Sequence, residues 1–291
     1  MVREKLLITG GAGFIGSNLV DYINRNSPGL PISVLDDFST GLKLNLKNSD
    51  CTVHEGSILD VDALGLAAQD STSIVHLAAI GSVPKSIDSP LATHEANITG
   101  TLNVLEAARR NNIAHVVVAS SSSVYGANPH MPKNELDWTR PMSPYAVSKL
   151  ATEAYALSYA FSYGLKTLAL RFFNVYGPRQ RADHPYAAVI PRFLDAAVTG
   201  QKLQIFGDGK QSRDFTYVET VCAALFDAAQ RKLASDTPIN LAFGTTTTLL
   251  DLVKLIEAAV GQELEMDFLS ARSGDVLASQ ADSERMRSLF P

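Results

Sequence analysis

The sequence has few cysteines, no excess of basic residues and no long apolar run, and each shortage excludes a class of protein. Two cysteines, Cys51 and Cys222, occur in 291 residues, too few for a disulfide scaffold or a four-cysteine zinc site. Lys and Arg total 25 and Asp and Glu total 30, giving a net charge of −5, so we expect no nucleic-acid partner. No apolar run approaches the roughly 18 residues that a membrane helix needs, so we expect no membrane partner either.

Signals for metal binding and for export are also lacking. The six histidines are scattered along the chain without the paired spacing of a zinc site, so we predict no metal. The apolar run at residues 6–8 is soon followed by glycine, which does not match the core of a signal peptide. Together with the low cysteine content, this predicts a cytoplasmic location.

The first half of the sequence contains a regular alternation of short β-branched runs and longer amphipathic stretches. Near-continuous apolar strands between helices are typical of a parallel sheet that helices cover on both faces. We therefore predict a doubly wound α/β fold, with ligands at the carboxyl ends of the strands. The predicted strands are 5–8, 32–35, 51–54, 73–77, 115–119 and 165–171, and the predicted long helices are 13–24, 91–110 and 143–163.

The pattern changes after residue 172, where loops marked by glycine and proline separate shorter elements. Further helices are predicted at 188–199, 217–231 and 248–260. This divides the chain into a first domain, 1–172, and a smaller mixed α/β lobe, 173–291, from which some of the chain crosses back. The cleft between the two is the expected ligand site.

A glycine-rich turn, residues 10–16 (GGAGFIG), follows the first predicted strand and opens the first predicted helix. Glycines permit a tight turn and a close approach of the backbone to a pyrophosphate, and the free amide groups of the helix N-terminus face the anion. Asp36 ends the second predicted strand 20 residues after Gly16, where a carboxylate accepts ribose hydroxyls and repels a 2′-phosphate. The combination predicts NAD rather than NADP. The alternative is a tight strand–helix turn with an incidental acid.

Tyr145 and Lys149 lie at the start of a predicted helix that Ser143 can cap and Pro144 can begin. Their spacing places both side chains on one face of the helix. A nearby ammonium lowers the pKa of a phenol from its usual value of about 10, so the pair could act as a general acid/base. The alternative is a half-buried tyrosine beside a solvated lysine.

Four serines, residues 120–123, follow the fifth predicted strand. Hydroxyl groups at the carboxyl end of a strand point into the ligand crevice of such a sheet. One of them could bond the reacting oxygen of a substrate. Simple turn chemistry is the alternative reading, because serines also end strands.

These motifs together resemble the extended short-chain dehydrogenase/reductase family, and within it the nucleotide-sugar 4-epimerases, including UDP-glucose and UDP-N-acetylglucosamine 4-epimerases. The resemblance covers nearly the whole chain. The segments that carry it are 10–16, 35–41, 76–79, 120–126, 143–149, 171–178, 212–215 and 272–276. The early segments are shared by many members of the family, whereas the later ones are more typical of enzymes that bind a nucleoside-diphosphate sugar.

The resemblance implies a Rossmann-type fold, NAD as a cofactor that stays bound, and reversible inversion of C4 of a UDP-hexose through a transient 4-keto sugar. It also implies a homodimer that pairs helices 91–110 and 143–163, against the alternative that these helices only pack on the sheet. Rival activities on the same fold are those of a decarboxylase and a 4,6-dehydratase. The dehydratase places acids where Ser122 and Ser123 stand. A non-catalytic NAD sensor is a more distant alternative.

The resemblance assigns roles to individual residues. It makes Ser121 the catalytic hydroxyl, Tyr145 the acid/base, and Lys149 its electrostatic partner and a ligand of the cofactor ribose. The cofactor-binding residues, with those of the glycine turn, are Gly10, Gly13, Phe14, Ile15, Gly16, Asp36, Asp37, Ser39, Thr40, Gly41, Ser57, Ile58, Leu77, Ala78, Ala79, Asn97, Ser120, Tyr145, Lys149 and Phe172. The substrate-binding residues are Ser82, Ser121, Ser123, Tyr145, Asn174, Val189, Gln204, Phe206, Arg213, Arg272 and Ser279.

Two positions bear on how this chain compares with its family. Ser57 stands where the family usually has an acid, so its contact with adenine is neutral and weaker. Ser279 corresponds to a position that influences whether an N-acetyl group fits, and a small serine predicts that it does. Segment 80–86 also resembles epimerases that act on N-acetylated sugars. We therefore expect activity on both kinds of UDP-hexose, or a preference for the N-acetylated kind.

Overall fold

A computed structural model describes residues 4–183, 187–271 and 277–290. Its largest sheet consists of β1 (Leu6–Thr9), β2 (Ile32–Asp36), β3 (Thr52–Glu55), β4 (Ser73–His76), β5 (His115–Ser121), β6 (Lys166–Phe172) and β11 (Ile239–Leu241). The strands lie in the order β11-β6-β5-β4-β1-β2-β3, and every neighbouring pair is parallel. The predicted doubly wound α/β fold is confirmed.

Helices cover both faces of this sheet because alternate residues of each strand point to opposite sides. The flanking helices are α1 (Phe14–Asn26), α2 (Val61–Ala68), α5 (Gly100–Arg110), α6 (Pro144–Tyr163) and α8 (Val218–Arg231). Ile8 packs in the core that contains α1 and α8, whereas its neighbour Leu7 packs in the core that contains α2, α5 and α6. Both residues are fully buried, so apolar residues follow one another along the strand without alternation.

The order of the strands reverses beside β1, which pairs with β2 on one side and β4 on the other. The segments that follow β1 and β4 therefore run in opposite directions from the carboxyl ends of these strands, and a crevice opens between them. Such a switch point is where open α/β sheets bind their ligands. The glycine turn follows β1 there, and residues 77–80 follow β4.

The predicted helix 91–110 is irregular in the structure. It is preceded by α3 (Val83–Asp88) and consists of α4 (Pro90–His94), one π turn (Glu95–Thr99) and then α5. A π turn contains one more residue than an α-helical turn and is frequent at functional sites. Asn97 lies in this turn and is buried.

Part of the chain after residue 172 builds a second, small core. Here α7 (Val189–Thr199) and α9 (Leu249–Val260) pack on each other and on β8 (Leu203–Phe206), which pairs in parallel with β13 (Met266–Leu269). The remaining elements are short, and they are β7 (Val175–Tyr176), β9 (Ser212–Arg213), β10 (Thr216–Tyr217), β12 (Thr247–Thr248) and α10 (Glu284–Leu289). This core stands over the carboxyl edge of the large sheet through β7 and β10.

Other parts of the same region return to the large sheet and its helices. Helix α8 packs on α1, β11 extends the large sheet beside β6, and α10 contacts β11. Strand β11 was not predicted, because three residues carry too little pattern to be recognised. The division at residue 172, with chain crossing back, stays our proposal for the domains. Among the described helices, none is both long and apolar enough to cross a bilayer.

Candidate active site

The glycine turn after β1 is packed so closely that its glycine positions leave no room for a side chain. Gly10 has a φ of +72°, and a Cβ there would lie 2.7 Å from the main-chain nitrogen of Ala78. A Cβ on Gly16 would lie 2.3 Å from the carbonyl oxygen of Gly10, so α1 packs closely on the turn. No side chain caps α1, which begins at Phe14 after Gly13. Its first N–H groups are therefore available to an anion, and the cradle fits a dinucleotide pyrophosphate.

Asp36, at the end of β2, is oriented by two main-chain groups. One carboxylate oxygen accepts the N–H of Ala12 at 2.8 Å, and the other accepts the N–H of Phe38 at 2.8 Å. Burial raises the pKa of Asp36, and these two hydrogen bonds oppose that rise. Each oxygen keeps a second acceptor position. The carboxylate is thus placed beside the glycine turn in a form that suits a ribose hydroxyl.

The other predicted adenosine-side residues lie around Asp36. Ser57 accepts a hydrogen bond from the main-chain N–H of Leu59 at 3.2 Å, and Ile58 is buried. Asp37 is exposed and accepts two hydrogen bonds from Ser39. The loop that follows β2 holds the predicted residues Asp37, Ser39, Thr40 and Gly41.

The segment after β4 forms the other side of the crevice and contains Leu77, Ala78 and Ala79. It is tied to α6 by Asn97, whose Oδ1 accepts the N–H of Ile80 at 2.7 Å. The Nδ2 of Asn97 donates to Ser148 Oγ at 2.9 Å. Asn97 therefore lies at the predicted cofactor site, but its amide group holds protein segments together.

The predicted catalytic residues meet where β5 ends and α6 begins. Ser143 caps α6 with a 3.1 Å hydrogen bond from a main-chain N–H, and Pro144 is the first helical residue. The side chains of Tyr145 and Ser121 are hydrogen-bonded to each other. Ser121 pairs in register with Phe172 of β6. The structure thus brings together a phenol and a hydroxyl group from residues 24 positions apart in the chain.

Lys149 is buried one helical turn after Tyr145, and its Nζ donates to the carbonyl oxygen of Ala119 at 2.8 Å. Burial lowers the pKa of Lys149 to about 8, while Glu153 opposes the shift. The pKa of Tyr145 is raised by burial, and the hydrogen bond with Ser121 only partly offsets this. The lowered tyrosine pKa that the sequence predicted is therefore not found, because desolvation of the phenol decides the direction.

A buried ion pair that was not predicted from the sequence lies beneath this site. Glu153 accepts two hydrogen bonds from Arg171, each 2.9 Å long, and a further one from Ser120 Oγ. The hydroxyl group of Ser120, a predicted cofactor residue, is thereby directed into the core. Glu153 is four residues after Lys149 and on the same helical face as Tyr145. That spacing was the available signal.

A cavity of about 270 Å³ lies beside β7, α7 and β8, close to the lower end of the range of about 300–1,000 Å³ for ligand pockets. Tyr176, Phe193 and Phe215 give it aromatic walls. Aromatic faces can stack on a nucleobase, and a guanidinium can pair with phosphate. Five predicted substrate residues line it: Asn174, Val189, Gln204, Phe206 and Arg213.

The remaining predicted substrate residues are distributed around this region. Ser82 caps α3. Ser279 donates its N–H to the carbonyl oxygen of Ser212 at 3.1 Å and so lies beside β9. The hydroxyl group of Ser123 is buried without a hydrogen-bond partner in the described part of the chain. Arg272 lies outside the described residues.

Asp214 is a second residue that the sequence analysis did not assign. It is fully buried and accepts the N–H groups of Gly244 at 3.0 Å and Ala281 at 3.1 Å. It therefore fixes the segment that carries Ser279 against the strand that ends in Arg213. Its place directly after Arg213 in the resembling segment 212–215 was the available signal.

A hydride acceptor held in the glycine turn would lie at the same carboxyl edge of the sheet as the phenol of Tyr145, and dinucleotide-dependent redox enzymes combine a hydride acceptor with such a group. Comparison with known proteins makes this class specific. The model of the NAD dependent epimerase/dehydratase family matches residues 6–242. The chain belongs to this family, and it is an NAD-dependent enzyme.

Individual relatives match between 80% and 100% of the chain. UDP-glucose 4-epimerase of Mycolicibacterium smegmatis is 38% identical over 292 residues, which is 98% of this chain and 92% of the relative. A solved structure of UDP-N-acetylglucosamine 4-epimerase from Methanobrevibacter ruminantium, in complex with UDP-N-acetylmuramic acid, is 38% identical with a TM-score of 0.93, covering 100% of this chain and 93% of the other. UDP-N-acetyl-alpha-D-glucosaminuronate decarboxylase of Bacillus cytotoxicus is 35% identical over 244 residues, 80% of this chain and 73% of the relative. The predicted family, fold and cofactor are thus confirmed.

Proposed function

We propose that the protein is a UDP-sugar 4-epimerase, which inverts C4 of a UDP-hexose through a transient 4-keto sugar. The observation that carries this proposal is the hydrogen bond between Tyr145 and Ser121, at the sheet edge where the glycine turn follows β1. The two relatives named as 4-epimerases support the same activity.

The side chains of this site have separate tasks in the proposed reaction. Tyr145 takes the proton of the 4-hydroxyl group and returns it after the sugar has turned over. Ser121 bonds the reacting oxygen and holds it against the phenol. Lys149, with a pKa of about 8, is mainly charged at neutral pH, and its charge favours the phenolate that burial disfavours. When bound, NAD supplies a hydride acceptor and donor.

We assign the nucleotide of the substrate to the cavity beside β7 and α7. Arg213 suits the diphosphate, because a guanidinium forms paired bonds with phosphate oxygens, and Phe206 suits a face of the uracil. Asn174 lies two residues after Phe172, which pairs with Ser121 in the sheet, so a nucleotide in this cavity leaves its sugar near the catalytic hydroxyl group. Firm binding of the nucleotide, with few contacts to the sugar, permits the sugar to turn over.

The small side chain of Ser279 is the basis for proposing that N-acetylated sugars are accepted. Ser279 is held beside β9 by its main chain, which leaves only a small side chain to fill the space next to it. A larger residue there would occupy the volume of an acetamido group. We therefore propose activity on UDP-N-acetylhexoses as well as, or in preference to, UDP-hexoses.

A decarboxylase is the second candidate, because one relative of 35% identity carries that name. A 4,6-dehydratase is less well supported, since Ser122 and Ser123 stand where that reaction needs acids. The mass of the product separates the three reactions. Epimerisation leaves the mass unchanged, whereas decarboxylation removes carbon dioxide and dehydration removes water.

The test is to incubate the purified protein, after its NAD content has been measured, with UDP-galactose or UDP-N-acetylgalactosamine and no added NAD. We expect NMR to show the C4 epimer of one or both. Deuterium placed at C4 should be retained, because the same hydride is taken and returned. If the protein contains NAD and forms no epimer from either sugar, or if the deuterium exchanges with solvent, the proposal is wrong.

We also propose that the protein is a homodimer formed through α4, α5 and α6. Leu91 is 79% exposed on α4, and Phe161 is 94% exposed on α6, so both helices present apolar side chains outward. A second copy would cover them. Light scattering at micromolar concentration should give the mass of two chains, and Leu91→Glu should reduce it to one without loss of helical signal. A wild-type monomer would contradict the dimer.

A further inference from the structure

His76 is a buried polar residue that the proposed reaction does not use. It ends β4, is 4% exposed, and engages both ring nitrogens. Nδ1 lies 2.7 Å from Thr9 Oγ1, and Nε2 lies 3.0 Å from Thr101 Oγ1. The ring therefore bridges β1, the strand that leads into the glycine turn, and α5.

The hydrogen-bond network fixes the tautomer of this ring. Thr101 Oγ1 has one proton, and its shortest contact is with the carbonyl oxygen of Asn97, 2.5 Å away, to which it donates. Toward His76 it can then only accept, so Nε2 must carry the ring proton. Nδ1 is left as the acceptor for the hydroxyl proton of Thr9. Burial and the nearby charge of Lys149 lower the pKa of His76 to about 3, which keeps the ring neutral.

A continuous chain of hydrogen bonds leads from this ring to the catalytic helix. The main-chain carbonyl oxygen of Asn97 accepts a hydrogen bond from Thr101. The side-chain Nδ2 of Asn97 donates to Ser148 Oγ at 2.9 Å. Ser148 Oγ in turn donates to the carbonyl oxygen of Tyr145 at 2.7 Å. Asn97 lies in the π turn, so an irregular helical turn provides the corner of the network.

We propose that His76 is a positioning residue for the proposed epimerisation. As a single tautomer, its ring fixes Thr9 of β1 to Thr101 of α5. Through Asn97 and Ser148 it also holds the first turn of α6, so that Tyr145 faces the cofactor crevice. This rests on the proposed function. It differs from a packing role because each link requires a particular donor and acceptor. An apolar side chain of the same volume would leave the hydroxyl proton of Thr9 without its acceptor and would remove the ring N–H that donates to Thr101.

The test compares His76→Gln with His76→Leu. Glutamine can accept from Thr9 and donate to Thr101, whereas leucine fills space without either bond. We expect His76→Gln to keep kcat within about 5-fold of wild type and His76→Leu to lower it by about 30-fold or more, since misplacement of reacting groups by 1 Å can cost about 100-fold. KM for the UDP-sugar and the NAD content should change less than about twofold in both, because neither the nucleotide cavity nor the glycine turn is altered.

His115 provides a matched control. It is equally buried but begins β5, at the opposite edge of the sheet, and its Nε2 contacts the carbonyl oxygen of Leu233 at 2.7 Å. His115→Leu should lower stability and leave kcat unchanged. If it lowers kcat as much as His76→Leu does, or if His76→Leu is more active than His76→Gln, the role of His76 is packing and the inference is wrong.

Two further measurements do not depend on His76→Leu folding. Thr101→Val removes one hydroxyl group at nearly constant volume and should lower kcat by about 10-fold, and combining it with His76→Gln should add no further loss, as for residues of one network. Fully additive losses would overturn the network.

Nitrogen-15 NMR of the imidazole at pH 7 should show the proton of His76 on Nε2, and a proton on Nδ1 would overturn the assignment. Because NMR needs no turnover, a wild-type protein without epimerase activity would contradict the proposed function alone.

Discussion

Burial acts in opposite directions on the two ionisable side chains of the proposed Tyr–Lys pair. It raises the pKa of Tyr145 and lowers that of Lys149 to about 8, because it disfavours the charged form in each case. In the proposed mechanism, the charge of Lys149 and the hydrogen bond with Ser121 favour the phenolate of Tyr145 against this effect of burial. Each contribution can be removed separately.

Tyr145→Phe removes the proposed proton acceptor and should lower kcat by about 10²–10⁴-fold. Fold and NAD content should be unchanged, because the ring still fills its place. Tyr159→Phe is the matched control on the same helix, where the phenol bonds Glu106 at 2.8 Å, and it should keep normal kcat. Near-normal turnover of NAD-loaded Tyr145→Phe would remove Tyr145 from the mechanism.

Lys149→Met should stabilise the protein while abolishing turnover. At pH 7 the lysine is protonated in both the folded and the unfolded state, so the folded state carries the full cost of burying the cation. With a pKa of about 8 when folded and about 10.5 when unfolded, that cost is at most about 3 kcal/mol. It disappears as pH rises from 8 toward 10.5, because the folded state then loses its proton first. Urea unfolding should show a gain at pH 7 that shrinks by pH 10, and a Lys149→Met protein less stable than wild type at pH 7 would contradict this.

The strand–turn–helix that begins the chain is the element on which cofactor binding depends. Gly10 needs glycine for two reasons, a positive φ and the closeness of Ala78. Gly29 also has a positive φ, of +84°, but a Cβ there would meet nothing within 4 Å. The two glycines therefore separate the effect of backbone conformation from that of close packing.

Gly29→Ala should cost only the strain of the left-handed conformation, about 1–2 kcal/mol, and should keep its NAD. Gly10→Ala should cost at least about 2 kcal/mol more, because the main chain after β4 must move, and it should lose bound NAD. Urea unfolding and the NAD content of the purified proteins measure the two effects. Equal stability of the two variants, or normal NAD content in Gly10→Ala, would show that the turn tolerates a side chain.

On the scale of the whole molecule, the sheet buries two neutral histidines from opposite ends. The pKa of His76 is lowered to about 3 and that of His115 to about 4, mainly by burial. In the unfolded chain both would bind a proton near pH 6.5. Below that pH the unfolded state gains protons that the folded state cannot, so stability present at pH 7 is lost as the solution is acidified.

Replacing His115 should make the protein less sensitive to acid. Between pH 7 and pH 5, His115 alone should lower the free energy of unfolding of the wild-type protein by about 2 kcal/mol. His115→Gln lacks this contribution, so its loss over the same interval should be smaller than that of wild type by the same amount. Chemical unfolding at the two pH values measures the change in unfolding free energy for each protein. Because this change is taken within one protein, any destabilisation of His115→Gln that is the same at both pH values cancels. Identical pH dependence in the two proteins would mean that His115 is not held neutral by burial.

The features that could be predicted from the sequence are local ones. The glycine turn, Asp36 after β2, and the spacing of Tyr145 and Lys149 could be recognised because residues close in the chain determine each of them. The beginning of α6 followed from a serine cap and a proline. The position of the four serines after a predicted strand indicated the ligand crevice, and the family resemblance selected Ser121 among them.

The tertiary structure alone decided the contacts between residues that are distant in the chain. The sequence does not show that β11 lies beside β6, that Glu153 pairs with Arg171, or that burial raises the pKa of Tyr145. The bridge from Thr9 through His76 to Thr101 exists because β1, β4 and α5 are packed in one particular register. Hydrogen bonds and desolvation act over a few ångströms of space, so side chains far apart in sequence acquire these properties only after the sheet and its helices have assembled.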